Sequence, residues 1–538
     1  MGRPVQPAAP SRRRVPDRPR HGHRAQPPRS RYRPRSGPAR AVRGAAVVTD
    51  SPIVDEVLAT PSAVRIGGRA APGAVTGAPT LPVVDPSTGT AFAEVSTGGS
   101  ADAARALAAA TAALPAWAAT PVAERAAALR AIADDIEALA TRPDWAELIT
   151  RETGKRLAES TAELGLTVTY FRVMADLVGR QEEQRLTVVP QHEHRVAVRP
   201  VGVAAVLTPW NFPVSIPARK IAPALAAGCP VLFKPSELAP LSSMVLAAVC
   251  ERHLPDGVLG TVLGTPADVV SPWLAAPAVR AVSFTGSTRV GRLVATEAAP
   301  RFLRTVMELG GCAPFVVLPD ADPQAAAQTL MVAKYRNNGQ SCIAANQILV
   351  AREVAGEFVE AFVEATRALR VGDPRDPGTD IGPLAPAGDP ARMAALVDEA
   401  VARGARAVAP HGAAPSAGHY AAPTVLLDAP VDSRAMTGEI FGPVAPVHVY
   451  DDLDAALAVH HATGYGLAGY VCGTDLDAAR AVADRLRAGI VGINTGTPNT
   501  PWVPFGGLGD SGVGYEGGRP GLEAFQTHLS VASRPVGA

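Results

Sequence analysis

The sequence predicts an α/β protein built around parallel sheets, and three observations carry that expectation. Short apolar runs alternate with segments of helical spacing from residue 201 onward. Turns bearing glycine or proline close several of those runs. A second alternating series begins at "PFVVL" (314–318) and continues to about 495. Strands that alternate with helices lie in a sheet covered on both faces, so they read as continuously apolar. At 538 residues the chain is too long for one core, and two or three domains are expected.

The elements follow in order. "VVDPSTGTAFAEV" (83–95) reads as two extended runs about a Pro-Ser-Thr-Gly turn. "SADAARALAAATAAL" and "PVAERAAALRAIADDIEALA" space their apolar residues as helices do. Thr120 before Pro121 is the expected N-cap and first residue of the second helix. One further helix is expected over much of 144–180. "RLTVVPQHEHRVAVRPVGVAAVL" (185–207) reads as strand, polar turn, strand, strand. "VGVAAVL" is then a strand, 214–227 a helix, "PVLFK" a strand and 240–253 a helix. "AVSFT" (281–285) is a strand, with a helix from about 287.

A composition of 47% hydrophobic and 19% charged residues is that of an ordinary globular protein. No apolar run is long and clean enough to span a bilayer, so no membrane partner is expected. The net charge of +1 hides an asymmetry. Residues 1–43 carry thirteen arginines and one acid, Asp17, which makes +12 and leaves the rest at −11. This segment is rich in proline and poor in hydrophobes, so residues 1–50 are expected to form a disordered basic tail. Three readings of it stand: a nucleic-acid or anionic-surface binder, an organelle transit peptide, or a tail without function, including a misplaced start. Its prolines oppose the amphipathic helix of a transit peptide, and the last reading is preferred. A secretory signal is not expected, because no apolar stretch follows the charges.

Four lysines, Lys155, Lys220, Lys234 and Lys334, stand against 47 arginines. That bias resembles the codon usage of a GC-rich genome, so arginine counts say little and each remaining lysine merits inspection. The five cysteines are Cys229, Cys250, Cys312, Cys342 and Cys472, with no C-x-x-C and no His/Cys cluster. Neither a disulfide framework nor a metal site is expected, and a reducing cytoplasm is the expected home.

Five short stretches carry candidate chemistry. In "YRNNGQSCIAAN" (335–346), Cys342 sits among polar, turn-forming residues. A packing cysteine sits among hydrophobes, whereas a reactive one needs access and a stabilised thiolate. "VSFTGSTRVGR" places Gly286 and Ser287 after a strand and at a helix start, where backbone N–H groups bind phosphate. Its spacing is G-x-x-x-x-G rather than G-x-G-x-x-G, and a plain glycine turn fits as well. "LFKPSE" carries Lys234, Pro235, Ser236 and Glu237 away from a strand end, where open α/β sheets gather ligands. Lys234 and Glu237 suit ribose hydroxyls; a solvated loop is the alternative. "TPWNFP" (208–213) offers the Asn211 amide to a developing oxyanion. "MELGG" (307–311) presents Glu308 before a glycine pair, with a surface charge as the alternative.

With "EIFGP" (439–443) and "PFGG" (504–507), these motifs, in this order, closely resemble the aldehyde dehydrogenase superfamily. The resemblance runs from about residue 80 to the C-terminus. Glu308 precedes Cys342 by 34 positions, a spacing typical of that family. It implies a Rossmann-type cofactor domain over 51–181 and 201–310 and an α/β catalytic domain over 311–520. It further implies a β oligomerisation element from 182–200 and 521–538, whose exposed edges a second subunit covers in a homodimer or homotetramer. Cys342 is then the nucleophile, the Asn211 amide and the Cys342 N–H hold the oxyanion, and Glu308 is the general base for thioester hydrolysis. Trp210, Asn211, Lys234, Pro235, Ser236, Glu237, Gly286, Ser287, Leu309, Glu439 and Phe441 match cofactor positions. NAD is expected over a weaker NADP, because a carboxylate at Glu237 accepts from both ribose hydroxyls and repels a 2′-phosphate.

Arg219, in "IPARKIAPALAAGC", and Arg336 match the carboxylate-binding positions of the succinate-semialdehyde dehydrogenases, where a guanidinium fork suits a carboxylate. "GQSCIAANQILV" also resembles that subfamily. Thr500, with Asn499, stands where the subfamily has a serine pair. Ala344 replaces a frequent second cysteine, so no redox disulfide is expected beside the nucleophile. The expected partner is a small aldehyde, succinate semialdehyde first. Glutarate semialdehyde, betaine aldehyde or an aliphatic or aromatic aldehyde is the alternative, with Arg219 then an ordinary helix-surface charge. Glu308 argues against a CoA-acylating relative, and Cys342 with Asn211 against a non-catalytic binding one. Nucleic acid enters only through the basic tail.

Overall fold

The computed structural model describes residues 52–59, 64–66, 80–180, 183–189 and 192–534. The basic segment 1–50 lies outside them. The apolar runs form two seven-stranded sheets. The first has the order Val64–Ile66, Leu259–Val262, Val231–Lys234, Val203–Leu207, Val279–Thr285, Arg304–Glu308, Gly512–Val513. Its five central strands are parallel, and both edge strands run antiparallel. Helices Ser215–Ala227, Pro240–Glu251 and Thr288–Ala298 provide crossovers. All of Val203–Leu207 is buried: Ala204 and Val206 pack into one core, Val203, Ala205 and Leu207 into the other. That two-faced burial is the reason the strand lacks polar alternation.

The second sheet has the order Arg406–Val408, Thr424–Leu427, Val444–Tyr450, Ala345–Ala351, Ala313–Val317, Ala468–Cys472, Ile490–Ile493. It is parallel except at its first pair. A smaller antiparallel sheet joins Gln526–Ser533, His192–Pro200 and Gln184–Val189 in that order. No single helix among the described residues is long and apolar enough to cross a membrane.

Two local expectations are corrected. The helix expected over 144–180 is two helices, Pro143–Thr153 and Leu157–Gly179. Gly154 ends the first in the left-handed region (φ 75°), its N–H bonded to Thr150 O at 2.8 Å. A Cβ there would lie 2.2 Å from Pro383 O, so the break is also a close approach of two segments. Thr120 is not an N-cap. It ends the preceding helix, Ser100–Ala119, and its hydroxyl donates backward to Ala116 O at 3.0 Å; Pro121 takes the N-cap of Val122–Ala140.

Candidate active site

The polar setting of Cys342 has a structural cause. Asn337, Asn338 and Gly339 are three consecutive residues in the left-handed region, at φ 55°, 58° and 75°. Asparagine and glycine tolerate that conformation best. Asn338 Nδ2 donates to Gly154 O (2.9 Å) and Pro383 O (3.0 Å), and its Oδ1 accepts from Gly382 N (2.8 Å). Gln340 Oε1 accepts from Ala385 N at 2.9 Å. A Cβ on Gly339 would sit 2.4 Å from Gly442 O. The loop is thus braced by side chains, and it delivers Cys342 just before the strand Ala345–Ala351.

Cys342 is partly exposed, while the other four cysteines are buried. Burial pushes the Cys229 thiol up to about 11, those of Cys312 and Cys472 to about 12, and that of Cys250 higher still. Burial, and then the Glu308 carboxylate, push the Cys342 thiol well above its ordinary range, and Arg219 pulls the other way. Attack by Cys342 therefore requires the thiol first to lose its proton.

Two cavities meet at Cys342. Trp210, Asn211, Gly286, Ser287, Glu308, Leu309, Glu439 and Phe441 line the first. The second is walled by Phe212, Arg219, Arg336, Asn499 and Phe505, with Glu159, Glu163 and Tyr170. Asn211 follows the strand Val203–Leu207 and donates through Nδ2 to Gln340 O at 3.0 Å, which leaves its second amide hydrogen free. Its own carbonyl accepts from Asn337 Nδ2 (3.0 Å) and Lys155 Nζ (2.7 Å). Lys155 is fully buried, 2.5 Å from Glu163 Oε2 and 4.1 Å from the Phe212 ring centre. The other Glu163 oxygen accepts from Val214 N and Ser215 N, at 2.9 and 3.0 Å, where the next helix begins.

Glu308 ends the strand Arg304–Glu308 and is 1% exposed, so it is no surface charge. Neither carboxylate oxygen has a hydrogen-bond partner; Arg219 Nη2 stands 3.8 Å away. Burial raises its carboxyl to about 7, against the pull of Arg219. Arg219 itself is buried rather than on a helix surface.

On the first cavity, Ser287 caps Thr288–Ala298, its Oγ accepting from Val290 N at 3.4 Å. The second glycine of G-x-x-x-x-G has a packing role: a Cβ on Gly291 would lie 2.3 Å from Leu309 Cδ2. Glu439 Oε1 accepts from Gly311 N at 3.2 Å, and burial raises this carboxyl to about 7. Phe441 has φ 50° and meets Trp210 edge to face at 5.6 Å. Thr285 Oγ1 and Asn211 Oδ1, also on this cavity, are buried without partners. Unpartnered polar atoms beside an aromatic pair and a helix N-terminus fit a nicotinamide dinucleotide. Lys234, Pro235, Ser236 and Glu237 leave the neighbouring strand end and do not line this cavity. Lys234 Nζ bonds Glu237 Oε1 (2.5 Å) and Pro235 O (3.2 Å), and Ser236 Oγ accepts from Leu238 N (3.2 Å).

Thr500 is exposed and lines neither cavity; its carbonyl accepts from Val503 N (3.2 Å) in a turn, and its neighbour Asn499 is on the wall of the second cavity. Sequence reasoning missed Lys155, Glu163 and Arg392. All four lysines are buried, so their scarcity was a usable signal for Lys155. Arg392 gave none in an arginine-rich chain. Its guanidinium donates to Ile440 O (2.7 Å) and Phe441 O (3.2 Å), which holds the Glu439–Phe441 turn.

The model of the aldehyde dehydrogenase family matches residues 75–531. A succinate-semialdehyde dehydrogenase of Paenarthrobacter nicotinovorans is 41% identical over 432 residues, 80% of this chain and 95% of that protein. A glutarate-semialdehyde dehydrogenase of Pseudomonas aeruginosa is 38% identical over 83% of this chain and 92% of its own length. The crystal structure of a succinate-semialdehyde dehydrogenase from Burkholderia pseudomallei superposes with a TM-score of 0.86 at 35% identity, covering 90% of this chain and 99% of that one.

Proposed function

The chain belongs to the aldehyde dehydrogenase family, and from that premise we propose that it oxidises succinate semialdehyde, or a close homologue ending in a carboxylate, through a thioester on Cys342. NAD(P)-dependent oxidation of an aldehyde to an acid is the family activity. One observation carries the substrate reading: Arg336 stands on the wall of the cavity that ends at Cys342 and has no carboxylate in salt-bridge reach among the described residues. An unpaired guanidinium there suits the far end of a short semialdehyde acid.

The chemistry follows from the neighbours of Cys342. The Cys342 thiol first loses its proton to solvent through the cavity it faces, and Glu308, buried with its carboxyl raised to about 7, is kept for the later water step. The Cys342 sulfur attacks the aldehyde carbon, and the free hydrogen of the Asn211 amide, with the Cys342 N–H, receives the developing oxyanion. When bound, the nicotinamide cofactor supplies the hydride acceptor. Trp210, Glu439 and Phe441 shape the wall that orients it. Glu308 then draws a proton from water, and the hydroxide cleaves the thioester.

NAD is the preferred cofactor in this reading, because Glu237 stands at the carboxyl end of Val231–Lys234. Its ion pair with Lys234 tempers the exclusion of NADP. The protein acts as a homodimer or homotetramer, a reading supported by Gln526–Ser533, whose outer edge is unpaired among the described residues. The five free cysteines suit a reducing cytoplasm.

Measuring kcat/KM with NAD and NADP over succinate semialdehyde, glutarate semialdehyde, betaine aldehyde and acetaldehyde tests the substrate and cofactor readings. The semialdehyde acids are expected to lead. A higher value for betaine aldehyde or acetaldehyde would remove the substrate reading. The glutarate analogue is the second candidate, on the name of the Pseudomonas aeruginosa relative.

A further inference from the structure

The two arginines of the substrate cavity are held differently. Arg219 and Lys220 leave the helix Ser215–Ala227 side by side and share one carboxylate, Glu516. Arg219 Nε lies 2.6 Å from Glu516 Oε2, and Lys220 Nζ pairs with Oε1. Lys220 also donates to Ser283 Oγ at 3.0 Å. The Arg219 guanidinium stacks on the Phe505 ring, 4.1 Å from its centre. So anchored, its second arm points at Glu308 Oε2, 3.8 Å away. Arg336 has none of this. Its nearest aromatic contact is Phe212 at 5.9 Å. Two acids share its wall: Glu159 is committed to Asn337 N (2.8 Å) and Arg156 (3.4 Å), and Glu163 to Lys155, Val214 N and Ser215 N.

We infer that Arg219 is a positioning residue that holds the general base Glu308 in its carboxylate form, rather than a second anchor of the substrate carboxylate beside Arg336. The inference rests on the readings of Glu308 as base and of a semialdehyde acid as substrate. Two cations meet one carboxylate at Glu516, which leaves one positive charge that Glu308 faces. The other groups around Glu308 are Cys342, Glu439 and Tyr170. Burial drives the Glu308 carboxyl upward, and Arg219 is the largest influence opposing it. Because this coupling is internal, it serves an aldehyde of any charge.

The test uses the full chain with succinate semialdehyde and with butyraldehyde, reading kcat after the burst so that it reports thioester hydrolysis. Arg219→Gln removes the charge but keeps a donor for Glu516. It is expected to move the acid limb of the pH profile upward by about one pH unit or more, with both substrates. Arg336→Gln is expected to raise KM for succinate semialdehyde by roughly 10- to 150-fold, while sparing butyraldehyde and the limb. Thermal unfolding and NAD binding verify each fold. Should Arg219→Gln not fold, Arg219→Lys decides. It keeps a cation beside Glu516 but lacks the second arm, and moves the limb in the same direction by less. An unmoved limb, with the loss confined to the charged substrate, would make Arg219 a mere second anchor and overturn the inference. If Arg336→Gln affects both substrates equally while the Arg219 variants still move the limb, the substrate reading falls and the role of Arg219 stands.

Discussion

The two large sheets serve one site from opposite ends. The first offers the carboxyl ends of its strands: Asn211, Gly286 and Glu308 all follow or finish a strand. The second offers amino ends: Gly311, Cys342 and Phe441 all precede one. The first arrangement is the general habit of open α/β sheets, where turns and helix N-termini face the ligand with backbone groups. The second has no helix N-terminus to present its residues, so side chains do it. Asn338 and Gln340 brace the nucleophile loop, and Arg392 clamps the turn after Glu439. Backbone recognition tolerates many side chains; a loop braced by side chains does not. The half that holds Cys342 should therefore be the more easily broken.

Removing the sulfur separates the halves most sharply. Cys342→Ala is expected to abolish aldehyde oxidation while NAD still binds, as titration calorimetry would report; lost binding would mean that the halves are not separable. Glu308 is the one reacting carboxylate that the first sheet supplies. Glu308→Gln is expected to keep a single burst of NADH while turnover falls about 10²- to 10⁴-fold. In the wild type, turnover needs the ionised base, so it should fall as pH drops through about 7 and level off above. Equal loss of burst and turnover would place Glu308 earlier in the reaction.

The braced loop gives the next effect. Gly339→Ala puts a methyl 2.4 Å from Gly442 O at φ 75°. The left-handed conformation alone costs about 1–2 kcal/mol, so chemical denaturation should show a loss at least that large, with slower alkylation of Cys342. An unchanged midpoint would show the loop to be adaptable. Mildest is Glu237→Ser, on the backbone-rich side. It should raise kcat/KM for NADP relative to NAD by roughly tenfold, the order of removing about 1.5 kcal/mol of repulsion between a carboxylate and a 2′-phosphate. A wild type that already prefers NADP would refute this.

Legibility in the sequence divides along the same line. Strand, turn and helix punctuate 203–227 and 279–298 clearly, so the places of Asn211, Gly286 and Ser287 follow from local pattern. Cys342 and Glu439 stand before their strands: the polar neighbours of Cys342 marked it as a candidate, but only the ordered motifs gave it a role, and they alone picked out Glu439. The braces were hidden. Asn338 reaches across to Gly154 and Pro383, and Lys155 to Asn211, contacts that no periodicity encodes. Gly154, which splits a helix, read as one residue in an otherwise helical run. Of the pair Asn499 and Thr500, the sequence did not show which faces the cavity, because a turn rather than a strand sets their directions.

The burial of all four lysines has a practical consequence. Their exposures are 0, 1, 8 and 0% for Lys155, Lys220, Lys234 and Lys334. The folded protein should therefore be nearly silent to amine-directed reagents beyond its α-amino group. Acylating probes, and lysine cross-linkers used to trap subunits, would find almost nothing on its surface to label. Any ε-amine label that does appear would report a molecule that has opened. The rate of incorporation then becomes a clock for local unfolding around the active site, read by mass spectrometry without an engineered probe.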